Sequence, residues 1–135
     1  MLPTPPQGRG EHVLYLDDEA SLAEVGARRL ESLGYQVTSV TNGRTALALL
    51  EKDPAGFDLL ITDFTMPLLT GLDVAIEAIR LAPALGVIVL SGHTDGLPIQ
   101  ALERAGVHRV LQKPVSRDEL SAAVRQVLDK IGRAG

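Results

Sequence analysis

The sequence alternates short aliphatic runs with segments of helical periodicity, and this alternation constrains the fold more than any other feature. The runs have the length and residue types of strands buried on both faces. They are Val13 to Leu16, Gln36 to Val40, Leu59 to Ile61, Val87 to Leu90, and Val110 to Leu111. Alternating strands and helices are joined by right-handed crossovers, which place helices on both faces of a parallel sheet. We therefore predict a doubly wound α/β fold of the (βα)5 type.

Three of the intervening segments carry a clear apolar stripe. In the first, Leu22, Val25, Leu30 and Leu33 share one arc of a helix, and Gly34 is placed to end it. The other two stripes consist, in turn, of Leu72, Ala75, Ile76 and Ile79 before Pro83, and of Leu120, Val124, Val127, Leu128 and Ile131. Because an amphipathic helix buries its apolar stripe, we expect these residues to face the core.

The other two helical segments are shorter or less regular. Thr45 to Leu50 predicts a short helix, and Pro98 to Ala105 has the weakest pattern of all, which suggests low local stability. Ser116 and Glu119 have the spacing of a capping box and mark the start of the last helix.

Length and composition limit the architecture and the partners. A chain of 135 residues fits one domain, and residues 1–10, with three prolines and two glycines, predict a flexible tail or linker before a domain of residues 11–133. A net charge of −4 without a run of Lys or Arg argues against direct binding of nucleic acid. The chain has no cysteine and no apolar stretch long enough to span a bilayer. We therefore expect a cytoplasmic domain that makes no membrane contact.

Polar residues stand at the carboxyl ends of four of the five runs. Asp17 and Asp18 follow the first run, Asp63 the third, Ser91 the fourth and Lys113 the fifth. The carboxyl ends of parallel strands share one edge of the sheet, where open α/β folds bind their ligands, so we expect these residues to converge. Each one alone is also typical of a solvated turn or a helix N-terminus. Their occurrence after four separate strands favours a functional site.

Carboxylates gathered in one place require a compensating cation, because like charges disfavour ionisation. Mg²⁺ suits such a site, since it prefers oxygen ligands and is commonly held by one or two carboxylates. A carboxylate can also attack phosphorus to form an aspartyl-phosphate, and a lysine and a hydroxyl can stabilise the transferring group. Asp63, Lys113 and Ser91 are therefore candidate catalytic residues. The histidines His12, His93 and His108 lack the spacing of metal ligands.

Four stretches resemble the receiver domain of bacterial response regulators. They are Val13 to Glu19, Leu59 to Pro67 with Gly71 after it, Val87 to Gly92, and Gln112 to Pro114. The resemblance implies a flavodoxin-like sheet of strand order 2-1-3-4-5. It also implies a phosphoryl donor that is a histidine kinase or a histidine phosphotransfer protein. The implied output is either a phosphorylation-dependent dimer or a downstream protein partner.

The resemblance assigns the phosphorylation chemistry residue by residue. Asp63 is implied as the phosphoacceptor, and Lys113 as the cation that meets the phosphoryl group. The implied Mg²⁺ ligands are Asp17, Asp18, Asp63 and the backbone carbonyl of Thr65. Beyond phosphorylating and dephosphorylating itself, a domain of this family is expected to have no enzyme activity.

The switch residues include one departure from the family pattern. Ser91 is implied as the switch hydroxyl, but the family usually carries Tyr or Phe three residues before the lysine, and here Val110 stands there. A valine has one stiff side-chain torsion and little reach. We therefore predict that switching displaces the backbone after Ser91 and the weak helix of Pro98 to Ala105. The family further implies a cis bond before Pro114 and tuning of dephosphorylation at Thr65 and His93.

Other functions remain open at this point. A Mg²⁺-dependent aspartyl phosphatase also has an Asp nucleophile after a strand. Such enzymes require a second Asp two residues after the nucleophile, and here Thr65 occupies that position. A flavodoxin-like flavin carrier would place its phosphate beside Asp17, Asp18 and Glu19, which would repel it. A receiver-like scaffold that is never phosphorylated would not need these polar residues. The chain is either a stand-alone regulator or the receiver of a hybrid sensor kinase.

Overall fold

A computed structural model describes residues 8–92 and 96–134 of the chain. Within these residues, strands and helices alternate strictly. The strands are β1 (His12–Leu16), β2 (Gln36–Val40), β3 (Leu59–Asp63), β4 (Gly86–Ser91) and β5 (Arg109–Gln112). The helices are α1 (Ala20–Ser32), α2 (Gly43–Lys52), α3 (Gly71–Leu81), α4 (Ile99–Ala105) and α5 (Arg117–Ala134).

The strands form one parallel sheet in the order β2-β1-β3-β4-β5, which confirms the predicted topology. Successive side chains of a strand point to opposite faces, so the sheet divides the core into two apolar clusters. One cluster joins the sheet to α1 and α5, and the other joins it to α2, α3 and α4. The crossovers therefore leave the carboxyl ends of the strands open along one edge.

The apolar stripe predicted for α1 is wrong in its first half. Leu22 is 42% exposed and Val25 is 49% exposed. The buried residues of the helix are Ala23, Gly26, Ala27 and Leu30. The cause is the close approach of α1 to β1, because a Cβ atom at Gly26 would collide with the ring of Tyr15. Small residues let the helix lie over this ring, and the larger aliphatic side chains turn outward.

The stripe predicted for α3 is wrong at one residue. Ile76 is 51% exposed, while Leu72 and Ile79 are half-buried against the core. The most buried residues of α3 are Gly71, Val74, Ala75 and Ala78. Ile79 approaches the end of α4, where a Cβ atom at Gly106 would lie 3.0 Å from its Cδ1 atom. Small residues again face the sheet, and the larger ones lie along the flank of the helix.

Side-chain caps and a glycine set the helix ends. The side chain of Asn42 accepts a hydrogen bond from the backbone N–H of Arg44 at 2.7 Å and begins α2. The predicted capping box of α5 is confirmed, because the N–H of Glu119 donates to Ser116 Oγ at 3.0 Å. Helix α4 ends at Gly106, whose φ of 101° lies in the left-handed region that favours glycine.

The last residues of the predicted tail contact the domain. Gly8 donates its N–H to the carbonyl of Leu33 at 2.6 Å, and Gly10 donates to Gly34 at 3.0 Å. Glu11 then forms an ion pair with Arg125 of α5 at 2.6 Å. The boundary at residue 10 stays a prediction, and residues 1–7 lie outside the described part of the chain. Among the described helices, none combines the length and apolarity needed to cross a membrane.

Candidate functional site

The carboxyl ends of β1, β3, β4 and β5 bring together the polar residues predicted to form a site. Asp63 is the last residue of β3, and Ser91 is the last residue of the adjacent β4. Asp17 directly follows β1, and Lys113 directly follows β5. Of these four strands, β1 pairs with β3 and β5 pairs with β4 in the parallel sheet. The site is therefore built on the ends of paired strands.

Lys113 lies between two carboxylates. Its Nζ atom is 3.0 Å from Asp63 Oδ1 and 3.3 Å from Asp17 Oδ2. The side chain of Lys113 is 27% exposed, whereas those of Asp63 and Asp17 are 14% and 3% exposed. The backbone N–H of Lys113 donates to the carbonyl of Ser91 at 2.8 Å, which ties the lysine to the end of β4. The ammonium group is therefore directed at the buried end of the site.

Asp17, Asp18 and Asp63 form an acidic cluster. One carboxylate oxygen from each residue lies within 4.8 Å of the others, a spacing that could hold a metal ion. The oxygens of Asp17 already have partners, since Oδ1 accepts from the N–H of Glu19 at 2.9 Å and Oδ2 faces Lys113. Asp18 is exposed and Asp63 is partly exposed, so these two present oxygens toward solvent.

The electrostatics of the cluster fit a divalent cation. Lys113 contacts Asp63 and Asp17 and brings one positive charge to the three carboxylates, so these four side chains carry a net charge of −2 when all are ionised. Burial raises the pKa of Asp63, the bond from Lys113 lowers it, and Asp17 and Asp18 raise it, with a net increase above the ordinary value. Burial lowers the pKa of Lys113, but its bonds to Asp63 and Asp17 outweigh burial and leave that pKa raised. An all-oxygen ligand set of this charge suits Mg²⁺.

A glycine allows the loop after Asp63 to fold back on β3. A Cβ atom at Gly71 would lie 2.7 Å from the carbonyl oxygen of Asp63, and the N–H of Gly71 donates to the carbonyl of Phe64 at 2.7 Å. Thr65 lies exposed in this loop, two residues after Asp63. Leu68 adopts a φ of 72° and is 84% exposed beside the site. The loop thus presents backbone and one large apolar side chain at the rim of the cluster.

The remaining predicted residues lie around this centre. Ser91 is buried, and the bond between Lys113 and Pro114 is cis. Val110 is half-buried and packs against the apolar cluster between the sheet and helices α2, α3 and α4. His93 lies outside the described residues.

Sequence reasoning missed the residues that join α1 to the loop after β5. Arg29 donates from Nη1 to the carbonyl of Val115 at 2.8 Å, although the two residues are 86 positions apart. No local pattern links such distant residues. The close approach of α1 to β1 at Gly26 did have a signal in the sequence. Glycine is unfavourable in the middle of a helix, so its presence there indicates that a neighbouring group lies too close for a side chain.

The comparisons with known proteins decide the family. Residues 13–125 match the family model of the response regulator receiver domain. The chain belongs to this family. The receiver domain is 36% identical over 116 residues to a response regulator receiver protein of Anaeromyxobacter sp. strain Fw109-5, covering 86% of this chain and 45% of that protein. It is 31% identical to the transcriptional regulatory protein GlrR of Escherichia coli K12, covering 88% of this chain and 26% of that protein.

The solved structures that match include receiver domain proteins. A response regulator receiver domain protein of Clostridium thermocellum has a TM-score of 0.86 at 28% identity, covering 93% of this chain and 99% of that one. The chemotaxis regulator CheY4 of Vibrio cholerae has a TM-score of 0.80 at 28% identity, covering 87% and 98%. By contrast, this chain spans only 26% and 45% of the two curated relatives named above.

Proposed function

We propose that this receiver domain accepts a phosphoryl group on Asp63 from the phosphohistidine of a histidine kinase or a histidine phosphotransfer protein. The observation that carries the proposal is the position of Asp63, which is 3.0 Å from the Lys113 ammonium and within 4.8 Å of two further carboxylates. A nucleophile, a cation and a set of metal ligands thus meet at the carboxyl edge of the sheet.

The proposed transfer is a displacement at phosphorus. An oxygen of Asp63 attacks the phosphorus, the bond between phosphorus and the donor's imidazole nitrogen breaks, and the electron pair returns to the imidazole. Lys113 already faces the attacking carboxylate, so its charge lies where the oxygens of the transferring group become more negative. Ser91, at the end of the adjacent strand, offers a hydroxyl to the same group.

We propose Mg²⁺ as the cofactor, held by Asp18, Asp63 and the backbone carbonyl of Thr65. When bound, Mg²⁺ supplies positive charge that offsets the phosphoryl oxygens and orients them. Asp17 contributes through water, because one of its oxygens caps the turn at Glu19 and the other faces Lys113. The exposed side of Asp18 leaves room for the waters that Mg²⁺ usually keeps.

The domain is proposed to act only on itself. Thr65 stands where an aspartyl phosphatase would need its second acid, which argues against turnover of other phosphate esters. Phosphorylation is proposed to alter the region after Ser91 and around α4, and so to change binding to a downstream partner or a second copy. Direct contact with nucleic acid or membrane is not expected, and a cytoplasmic location stays a prediction.

Intact-mass measurement tests the proposal. The protein is incubated with a small acyl phosphate and Mg²⁺, and the mass is recorded before the adduct hydrolyses. The parent is expected to gain one phosphoryl group, and Asp63→Asn is expected to gain none. Asp73→Asn, which changes an acid at the start of α3, is the matched control and is expected to be labelled like the parent. Equal labelling of Asp63→Asn would contradict the assignment.

A further inference from the structure

We propose that Arg29 is a positioning residue for Lys113, because its guanidinium holds the loop that follows the lysine against α1. The inference rests on the proposed function of Lys113 at Asp63. Arg29 donates from Nη1 to the carbonyl oxygen of Val115 at 2.8 Å. Val115 is two residues from Lys113, so this bond fixes the chain directly beyond the lysine.

Val115 packs against the apolar cluster between the sheet, α1 and α5, but the loop also borders an open groove beside α1. A groove of about 350 Å³ separates the helix from the loop. Its walls include Leu22, Val25, Gly26, Pro114, Val115 and Leu120. An open groove lacks the dense contacts that fix side chains and backbone in a packed interior. Pro114 has no N–H to donate, so it cannot tie the loop down by that route.

A second bond holds the lysine from the side of the sheet. The backbone N–H of Lys113 donates to the carbonyl of Ser91 at 2.8 Å. The chain is therefore fixed at Lys113 by β4 and at Val115 by α1. Between these two anchors, the ammonium group divides its contacts between Asp63 at 3.0 Å and Asp17 at 3.3 Å. A small movement of the loop would change this balance, and catalytic groups are sensitive to such displacements.

Arg29 also has a purely structural reading, which a neighbouring residue can test. It lies in the last turn of α1, where any basic side chain interacts favourably with the helix dipole. The preceding residue, Arg28, is also exposed, but it pairs with Glu24 at 2.5 Å on the helix surface instead of reaching the loop. A general effect of positive charge near the end of α1 would extend to both arginines, whereas contact with the loop after Lys113 is made by Arg29 and not by Arg28.

The test compares four proteins in two measurements. They are the parent, Arg29→Met, Arg29→Lys and the control Arg28→Met. The first measurement is the maximal rate of Asp63 labelling at saturating acyl phosphate and Mg²⁺, repeated in a Lys113→Ala background. The second is amide hydrogen exchange of residues 111–120 in the absence of any phosphodonor, which does not depend on phosphorylation.

We expect Arg29→Met to lower the maximal rate about three- to tenfold, the range for loss of one ordinary hydrogen bond, because this bond is exposed to solvent. Arg29→Lys should recover most of the rate, Arg28→Met should match the parent, and Arg29→Met should have no further effect in the Lys113→Ala background. Exchange in residues 111–120 should be faster in Arg29→Met only. An unchanged rate, or the same loss without Lys113, would overturn the inference. A parent that is not labelled at all would instead contradict the proposed function, while the exchange result would still report on the Arg29 bond.

Discussion

At the scale of single residues, the charge state of Asp63 opposes folding. Its pKa is raised because burial disfavours the carboxylate and the Lys113 bond compensates only in part. The folded protein therefore holds this proton more tightly than the unfolded chain, so stability is lost as the pH rises from the ordinary pKa of an aspartate through the raised pKa of folded Asp63. At neutral pH and without Mg²⁺, the ionised Asp63 destabilises the fold.

We predict that Asp63→Asn increases the free energy of unfolding at neutral pH in the presence of a chelator. The amide oxygen can still accept from Lys113, but the like-charge repulsion is gone. The difference from the parent should disappear below the ordinary pKa of an aspartate, where the parent is also neutral. Denaturant unfolding at several pH values measures this. Equal stability at neutral pH would show that Lys113 compensates fully.

We propose that Asp18, the exposed member of the acidic cluster, controls Mg²⁺ affinity. We predict that Asp18→Ala weakens Mg²⁺ binding roughly tenfold or more, because it removes a ligand whose oxygens are open to solvent. Titration of the unphosphorylated protein followed by nuclear magnetic resonance measures the affinity. Glu51→Ala removes the same charge from an exposed position on α2 and serves as the control. An unchanged affinity in Asp18→Ala would refute its role.

The sequence allowed the central residues of the site to be predicted because of where they stand relative to the strands. Asp17, Asp63 and Lys113 each end or directly follow a strand, and parallel topology brings such positions together. Arg29 could not be found in this way. Its partner is the backbone carbonyl of Val115. Every residue has such a carbonyl, so the residue type at position 115 does not indicate the bond.

At the scale of elements, the α1 helix depends on the pairing of Gly26 with Tyr15. We predict that Gly26→Ala destabilises the protein by about 1–3 kcal/mol, although alanine is the better helix former, because its Cβ would collide with the Tyr15 ring. Gly132→Ala on α5 is the control, since nothing lies within 4 Å of a Cβ there, and it should be neutral or stabilising. Thermal unfolding of both variants measures this. Restoration of stability by Tyr15→Val in the Gly26→Ala protein would confirm the cause, and a harmless Gly26→Ala would contradict it.

The same pairing explains why helix periodicity predicted the existence of α1 better than its buried face. The pattern of large apolar residues placed Leu22 and Val25 inward, yet both are more than 40% exposed. Periodicity identifies an apolar arc but not the distance between helix and sheet. Where that distance is short, alanine and glycine occupy the buried face. In α5, which packs with larger residues such as Val124 and Leu128, the predicted stripe was confirmed.

At the scale of the whole molecule, the position of Val110 bears on how the proposed phosphorylation would change the surface. Its side chain packs on the side of the sheet that carries α4, a helix of seven residues without a side-chain cap at its start. We predict that a phosphoryl mimic changes amide exchange in residues 96–106, because a short uncapped helix opens at low cost. Hydrogen exchange with and without beryllofluoride and Mg²⁺ measures this. Changes confined to the surroundings of Asp17 and Asp63 would exclude this switching route.

Phosphotransfer from a phosphohistidine to Asp63 is the central claim, and trapping of the product tests it most directly. Purified histidine kinases or phosphotransfer proteins, carrying a phosphohistidine, are mixed with the receiver domain and Mg²⁺. The product is then reduced with borohydride, which converts an aspartyl-phosphate to homoserine. Peptide sequencing by mass spectrometry should find homoserine at position 63 and aspartate at positions 17 and 18. Homoserine at another position, or none after transfer from every donor tested and from acyl phosphate, would contradict the account.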